Sequence, residues 1–178
     1  FRSSAASDVY KRQIIYGSDT GATESVAKSL HEKIGEGSVD LLEVNSVSPE
    51  DFRKYKIILI GVPTWYIGEL QSDWDYFFPE FKKIDFTGIK TAYFGLGDQL
   101  GYPDSFVDGI GILAEVVLKN GGKVFGSWST EGYDFDESLG VNPDGDFYGL
   151  VIDDDNQHEM TDERVDNWLS QIKPDLAV

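Results

Sequence analysis

A loop rich in hydroxyl groups and glycine follows the first apolar segment of the chain. It spans residues 17–24, and Ser18, Thr20 and Thr23 supply its hydroxyls. Free N–H groups at a helix start, together with such hydroxyls, bind a phosphate group well. The loop has no Lys or Arg, which excludes the triphosphate-binding Walker A loop. An uncharged cradle of this kind suits one phosphate monoester, and an ordinary Ser/Thr-rich helix cap is the alternative.

Two further loops, each after an apolar segment, carry aromatic residues. Segment 63–70 contains Trp65 and Tyr66, and segment 94–102 contains three glycines and ends in Tyr102. Loops generally favour small polar residues, so these aromatics indicate a flat ligand, although a hydrophobic plug under a neighbouring helix is the alternative. Together the three loops predict a pocket for one planar, monophosphorylated heterocycle. Flavin mononucleotide (FMN) fits that description.

Alternating strands and helices place these loops. Apolar runs predict strands at residues 13–16, 39–44, 55–62, 89–94, 123–128 and 147–152. Helical spacing predicts helices over residues 26–34, 72–78 (ended near Pro79), 106–118 and 161–172 (capped by Thr161 and ended by Pro174). Such repeated units predict an α/β fold with a parallel sheet and helices on both faces. Ligands in these sheets bind at the carboxyl ends of the strands, where the three loops lie.

Charge and composition exclude several classes of function. The 178 residues include 15 Lys and Arg against 32 Asp and Glu, a net charge of −17. This acidity argues against binding nucleic acid or anionic lipid, and for basic protein partners. The absence of Cys excludes disulfides, iron–sulfur clusters and thiolate zinc sites, and two His make another metal site unexpected. No apolar run is long enough to insert into a membrane. Redox chemistry therefore requires a bound organic cofactor.

The loops jointly resemble those of the flavodoxin family. Segment 17–24 is similar to the family's phosphate loop, 63–74 to its first flavin loop and 94–102 to its second, and segments 130–135 and 153–157 also match. The resemblance covers residue 14 to the end of the chain. It implies a flavodoxin-like, doubly wound five-stranded parallel sheet of order 2-1-3-4-5. A long insertion at about residues 129–146 would interrupt the last strand, as in the long-chain subgroup.

The resemblance also implies FMN as the cofactor, with no catalytic or metal-binding residue. Residues 18–23 would wrap the phosphate, and Trp65 and Tyr102 would stack on the two faces of the isoalloxazine. Ala22 departs from a position where the family often has a longer polar residue, although its backbone amide can still serve. The implied cofactor-binding residues are Ser18, Asp19, Thr20, Gly21, Ala22, Thr23, Pro63, Thr64, Trp65, Tyr66, Ile67, Gly68, Gly95, Leu96, Gly97, Asp98, Gln99, Tyr102 and Asp155.

The function implied is that of a low-potential one-electron carrier that uses the semiquinone/hydroquinone couple of FMN. Such a protein replaces ferredoxin between donors such as photosystem I or a reductase and acceptors such as ferredoxin–NADP reductase. We expect it to be a monomer in a reducing compartment, either bacterial cytoplasm or plastid stroma. An FMN-dependent NAD(P)H quinone reductase on the same fold is the enzyme alternative, and it would need open space over the flavin.

The first residues of the chain stand apart from this pattern. Residues 1–12 show no helical or strand period before about Val9. We interpret them as a non-native appendage, which leaves residues 13–178 as a single FMN-binding domain.

Overall fold

A parallel β-sheet with helices on both faces organises residues 11–176, the part of the chain that this computed structural model describes. The strands are β1 Arg12–Tyr16, β2 Asp40–Glu43, β3 Ile57–Trp65, β4 Glu69–Leu70, β5 Lys90–Leu96, β6 Lys123–Val124 and β7 Leu150–Ile152. The helices are α1 Ala22–Ile34, α2 Pro49–Arg53, α3 Ser72–Phe81, α4 Asp108–Lys119, α5 Asp154–Gln157 and α6 Thr161–Leu176. Short 3₁₀ turns lie at Val44–Ser46 and His158–Met160.

The order of the strands confirms the predicted fold class and differs from the prediction in detail. The path runs β2-β1-β3-β5-β6, and these neighbours pair in parallel. β5 pairs with β6 through Lys90 and Thr91, and with β7 through residues 94–96. β6 and β7 therefore share one strand position, as expected for an interrupted last strand. The additional β4 pairs antiparallel with the end of β3.

Two hydrophobic cores lie on opposite faces of the sheet. Alternate residues of β3 point to opposite sides: Ile58 and Ile60 belong to one core, and Ile57 and Leu59 to the other. The first core packs against α3 and α4, and the second against α1 and α6. This burial on both faces explains why β3 reads as an almost unbroken apolar run.

Three predictions about helix ends were wrong. α3 continues past Pro79 to Phe81, and α6 continues past Pro174 to Leu176. A proline in the last turn removes only one helical hydrogen bond, and burial of Phe81 and Leu176 offsets that loss. Thr161 does not cap α6, because it is the first residue of the helix and its hydroxyl donates to the Asp154 carboxylate. Among the described residues, no helix has both the length and the apolar character needed to cross a bilayer.

The insertion between β6 and β7 packs as an irregular layer over α4. The strands predicted at its two ends are shortened to β6 and β7, and isolated antiparallel bridges join Phe147 to Trp128 and to Val141. The Phe147 ring is fully buried and lies 5.2 Å from the ring of Tyr133 and 5.4 Å from that of Phe135, measured between centroids. Aromatic packing therefore anchors this segment to the first core.

The start of the described chain belongs to the sheet. Arg12 pairs with Ile57, and its Nε donates a hydrogen bond to the Leu176 carbonyl at 2.7 Å. Residues 1–10 of the predicted appendage lie outside the described residues. The interpretation of residues 1–12 therefore stays a prediction.

Candidate functional site

A cavity of about 270 Å³ opens at the carboxyl edge of the sheet, beyond the ends of β1, β3 and β5. This is where parallel α/β sheets place their ligands, because the loops after neighbouring strands meet there. The cavity is lined by Ser18, Asp19, Thr20, Ala22, Thr23, Pro63, Thr64, Trp65, Tyr66, Leu96, Gly97, Asp98, Tyr102, Asp154 and Asp155.

The loop between β1 and α1 is shaped by its serine and glycine. Gly21 adopts φ +95°, a left-handed conformation that glycine reaches without strain. The Ser18 hydroxyl accepts hydrogen bonds from the Gly21 N–H at 3.1 Å and from the Glu24 N–H at 3.4 Å. Gly21 has no side chain with which to cap α1, and of the first-turn N–H groups Ser18 reaches that of Glu24. The first-turn N–H groups of Ala22 and Thr23 therefore lack helical acceptors at the cavity.

The carboxylate of Asp19 is tied to the start of α3. It accepts hydrogen bonds from Gln71 Nε2 at 2.9 Å and from the Ser72 hydroxyl at 3.1 Å. Gln71 is fully buried and also caps α3 by accepting from the Trp74 N–H. A Cβ on Gly17 would lie 2.1 Å from Gln71 Oε1, so only glycine fits beside this amide. The loop and α3 are therefore held together, with the Asp19 charge engaged by donors from α3.

Aromatic side chains line the cavity from two loops. Trp65 ends β3 and is half-buried, whereas Tyr66 is 59% exposed and their ring centroids are 6.0 Å apart. Tyr66 adopts φ +48° at the start of the hairpin turn to β4. Tyr102 comes from the loop after β5 and is 39% exposed. These side chains offer flat apolar surfaces to a planar ligand.

Carboxylates cluster along one rim of the cavity, which Asp98 and Asp155 line and behind which Asp153 is buried. Oxygens of Asp98, Asp153 and Asp155 lie within 4.8 Å of one another. The Gly101 N–H, 2.7 Å from Asp98 Oδ1, lowers the pKa of the Asp98 carboxyl, with help from the Asn156 amide. Burial raises the pKa of Asp155, and the charges of Asp98, Asp153 and Asp154 raise it further. This rim therefore opposes the build-up of negative charge in the cavity.

One protein family matches most of the chain. The family model described as Flavodoxin matches residues 14–168. The chain belongs to the flavodoxin family. It is 49% identical to a flavodoxin of Synechocystis over 164 residues, covering 92% of this chain and 96% of the relative. It is 44% identical to flavodoxin 1 of Escherichia coli K12 over 163 residues, covering 92% and 93%.

A solved structure agrees with this assignment. The chain is similar to a Fusobacterium nucleatum flavodoxin bound to flavin mononucleotide, with a TM-score of 0.86 and 30% sequence identity. The match covers 93% of this chain and 98% of that one. Family and fold therefore agree with what the three loops predicted.

The cavity of this flavodoxin brings together most of the residues expected from the sequence, and five lie outside its lining. Four of these five belong to the supporting turns and strand: Gly21, Ile67, Gly68 and Gly95. The fifth, Gln99, is 2% exposed and faces the interior. Sequence reasoning missed Asp154, which lines the cavity beside Asp155 and whose only signal was its place in an acidic triplet.

Gln99 joins three separate segments of the chain. Its Nε2 donates to Asp153 Oδ2 at 2.7 Å, and its Oε1 accepts from the Asp134 N–H at 2.5 Å. Its backbone N–H also donates to Asp153 Oδ2, at 3.1 Å. The side chain thus fixes the loop after β5 to the insertion and to the end of β7. As a cofactor contact, Gln99 stays a prediction without support from this arrangement.

Proposed function

We propose that this protein is a low-potential one-electron carrier that uses bound FMN. The observation that carries the proposal is one cavity with a phosphate cradle at α1 that contains no Lys or Arg, and with aromatic surfaces at Trp65 and Tyr102. A cofactor with a phosphate at one end and a flat ring system at the other matches both parts. The family assignment and the FMN named for the Fusobacterium structure support the same cofactor.

Unsatisfied polar groups at the cavity fit this cofactor. The N–H groups of Ala22 and Thr23 project from the start of a helix of 13 residues, where the helix dipole also favours an anion. The Trp65 Nε1 atom is buried and has no hydrogen-bond partner among the residues described. Buried donors of this kind normally have acceptors, which a bound ligand can supply.

Bound FMN supplies the redox chemistry by exchanging one electron at a time. The residues of the chain hold and tune it. The loop at α1 would bind the phosphate, and Trp65 and Tyr102 would cover the two faces of the ring and exclude water. The carboxylates of Asp98, Asp154 and Asp155 disfavour added negative charge, which makes the reduced protein a stronger electron donor.

The partners we propose are basic redox proteins. The net charge of −17 favours partners with a positive docking surface, such as ferredoxin–NADP reductase or photosystem I. In this role the protein would replace ferredoxin, as a monomer in bacterial cytoplasm or plastid stroma. Electron-transfer rates should then fall as salt screens the attraction.

The test begins with the purified protein and its apoprotein. We expect a yellow protein with flavin absorption bands, and an apoprotein that binds FMN much more tightly than riboflavin in a fluorescence titration. NADPH alone should not bleach the flavin, whereas a stoichiometric chemical reductant should reduce it in two one-electron stages. Equal affinity for FMN and riboflavin would contradict the phosphate cradle. Rapid bleaching by NADPH would instead support the quinone reductase.

A further inference from the structure

The start of α4 contacts the hairpin formed by β3 and β4 at two points. The Gly109 N–H donates to the Thr64 hydroxyl at 2.9 Å. Four residues after Thr64, Gly68 packs so closely on Asp108 that a Cβ on Gly68 would lie 2.7 Å from Asp108 Oδ2. Thr64 lines the cavity, so α4 supports the cavity wall directly from behind.

The Asp108 carboxyl group lies between this hairpin and the insertion. Its Oδ1 accepts a hydrogen bond from the Leu139 N–H at 2.7 Å. Its Oδ2 has no hydrogen bond or cation partner among the described residues and keeps a little contact with solvent, although the residue as a whole is only 8% exposed. Burying a carboxylate with so few hydrogen-bond donors costs folding free energy. None of the sequence motifs that resemble the family includes Asp108.

The charged surroundings of Asp108 act in the same direction. Burial raises the pKa of Asp108, and the negative charge of Glu137 in the insertion raises it further, against the opposing effect of the Leu139 N–H. The hairpin presents Gly68 and β3 presents Thr64, and neither side chain titrates. Among the described residues, Glu137 is thus the charged group that raises the pKa of Asp108.

Backbone strain marks both sides of this contact. Within residues 11–176, only Tyr66 and Val107 combine a side chain with a positive φ, and both have φ +48°. Tyr66 begins the hairpin turn that contains Gly68, and Val107 directly precedes Asp108. Such conformations are strained in residues that carry a side chain, and they cluster at functional sites. A strained joint therefore connects the cavity wall to α4.

We propose that Asp108 is a positioning residue that ties the hairpin turn at residues 66–68 to the insertion, so that the reduction potential of the loaded protein depends on whether Asp108 is charged. This inference rests on the proposed FMN function. An ionised Asp108 places a negative charge behind the cavity wall and opposes reduction. The electron comes from an external donor, and reduction therefore favours uptake of one proton from solvent by the Asp108 carboxylate, whose O–H bond is the one bond formed on the chain.

The first test uses the apoprotein and needs no cofactor. Asp108→Asn keeps an oxygen for the Leu139 N–H and removes the charge, and Asp104→Asn is the matched control, since Asp104 is exposed four residues earlier. A group with a raised folded-state pKa stabilises the fold below its ordinary pKa of about 4 and loses that contribution as pH rises through the folded-state pKa. Asp108→Asn should therefore have a higher urea midpoint than wild type at pH 7, and the two should converge near pH 4.

The second test measures the midpoint potentials of the FMN-loaded protein as a function of pH. At pH 7, Asp108→Asn should raise the potential for the second electron above that of wild type. The difference should shrink as the pH falls through the Asp108 pKa, and at pH 7 Asp104→Asn should give a smaller shift than Asp108→Asn. Equal shifts in the two variants, or no gain in apoprotein stability at pH 7, would overturn the inference.

A third measurement covers the case in which Asp108→Asn does not fold. Carbon-13 NMR of the wild-type Asp108 carboxyl should show a pKa above those of the exposed aspartates, and a higher value in the reduced than in the oxidised protein. Titration together with the exposed aspartates would refute the role of Asp108. A protein that takes up no FMN would refute the proposed function instead, and the apoprotein data would still decide the state of Asp108.

Discussion

Replacing Ser18 with alanine should weaken FMN binding through the phosphate alone. The Ser18 hydroxyl accepts two backbone hydrogen bonds, from Gly21 at 3.1 Å and from Glu24 at 3.4 Å, and these hold the loop in its cradle shape. Each such bond contributes about 0.5–1.5 kcal/mol net, and the longer one belongs at the low end. Losing both should cost about 1–2 kcal/mol, or a five- to thirtyfold loss of affinity.

The assay compares FMN with riboflavin on the same apoproteins. In the proposed binding mode both ligands would place the same ring between Trp65 and Tyr102, but only FMN has a phosphate for the loop. Ser18→Ala should therefore lower the ratio of FMN to riboflavin affinity five- to thirtyfold and leave riboflavin affinity nearly unchanged. Flavin fluorescence quenching measures both constants.

Ser25→Ala is the matched control for this experiment. Ser25 lies on the exposed side of α1, in the first turn after the loop that contains Ser18. It should bind both ligands as wild type does. If Ser18→Ala weakened FMN and riboflavin equally, the hydroxyl would be supporting the fold in general, and the argument for a phosphate cradle would be wrong.

Three further predictions concern the surroundings of the cavity. Gly17→Ala should lower the urea stability by about 1–3 kcal/mol, because its Cβ would collide with Gln71, whereas Gly37→Ala has no atom within 4 Å and should be neutral. Asp155→Asn should raise the potential for the second electron by about 20–70 mV. This range corresponds to the Coulomb energy of a charge about 10 Å away at effective dielectric constants of 80 to 20. The absence of a shift at low salt would contradict the prediction. Phe147→Ala should cost about 3–5 kcal/mol in a urea titration, with Phe147→Leu intermediate, since the ring is fully buried in the insertion; a loss below about 1 kcal/mol would show that the insertion is not anchored there.

Side-chain directions were less predictable than the positions of the loops. Gln99 lies in a motif that resembles a flavin loop, and its neighbour Asp98 lines the cavity. Its own amide turns inward because Asp153 and Asp134 supply partners 54 and 35 residues away in the chain. A one-dimensional pattern holds no information about such partners. The predictions of the helix ends were wrong for a similar reason, because tertiary burial of Phe81 outweighed the local effect of Pro79.

The sequence by itself determined the alternation of strands and helices and the three loops that form the cavity. Those features are local, since apolar periodicity, glycine and hydroxyl residues act within a few positions, and parallel strands bring their carboxyl ends to one edge. Only the tertiary structure decided the joint between Gly68 and Asp108, the inward turn of Gln99 and the contribution of Asp154 to the cavity. These depend on contacts between segments far apart in the chain, where burial and electrostatics are set by the packing of the whole domain.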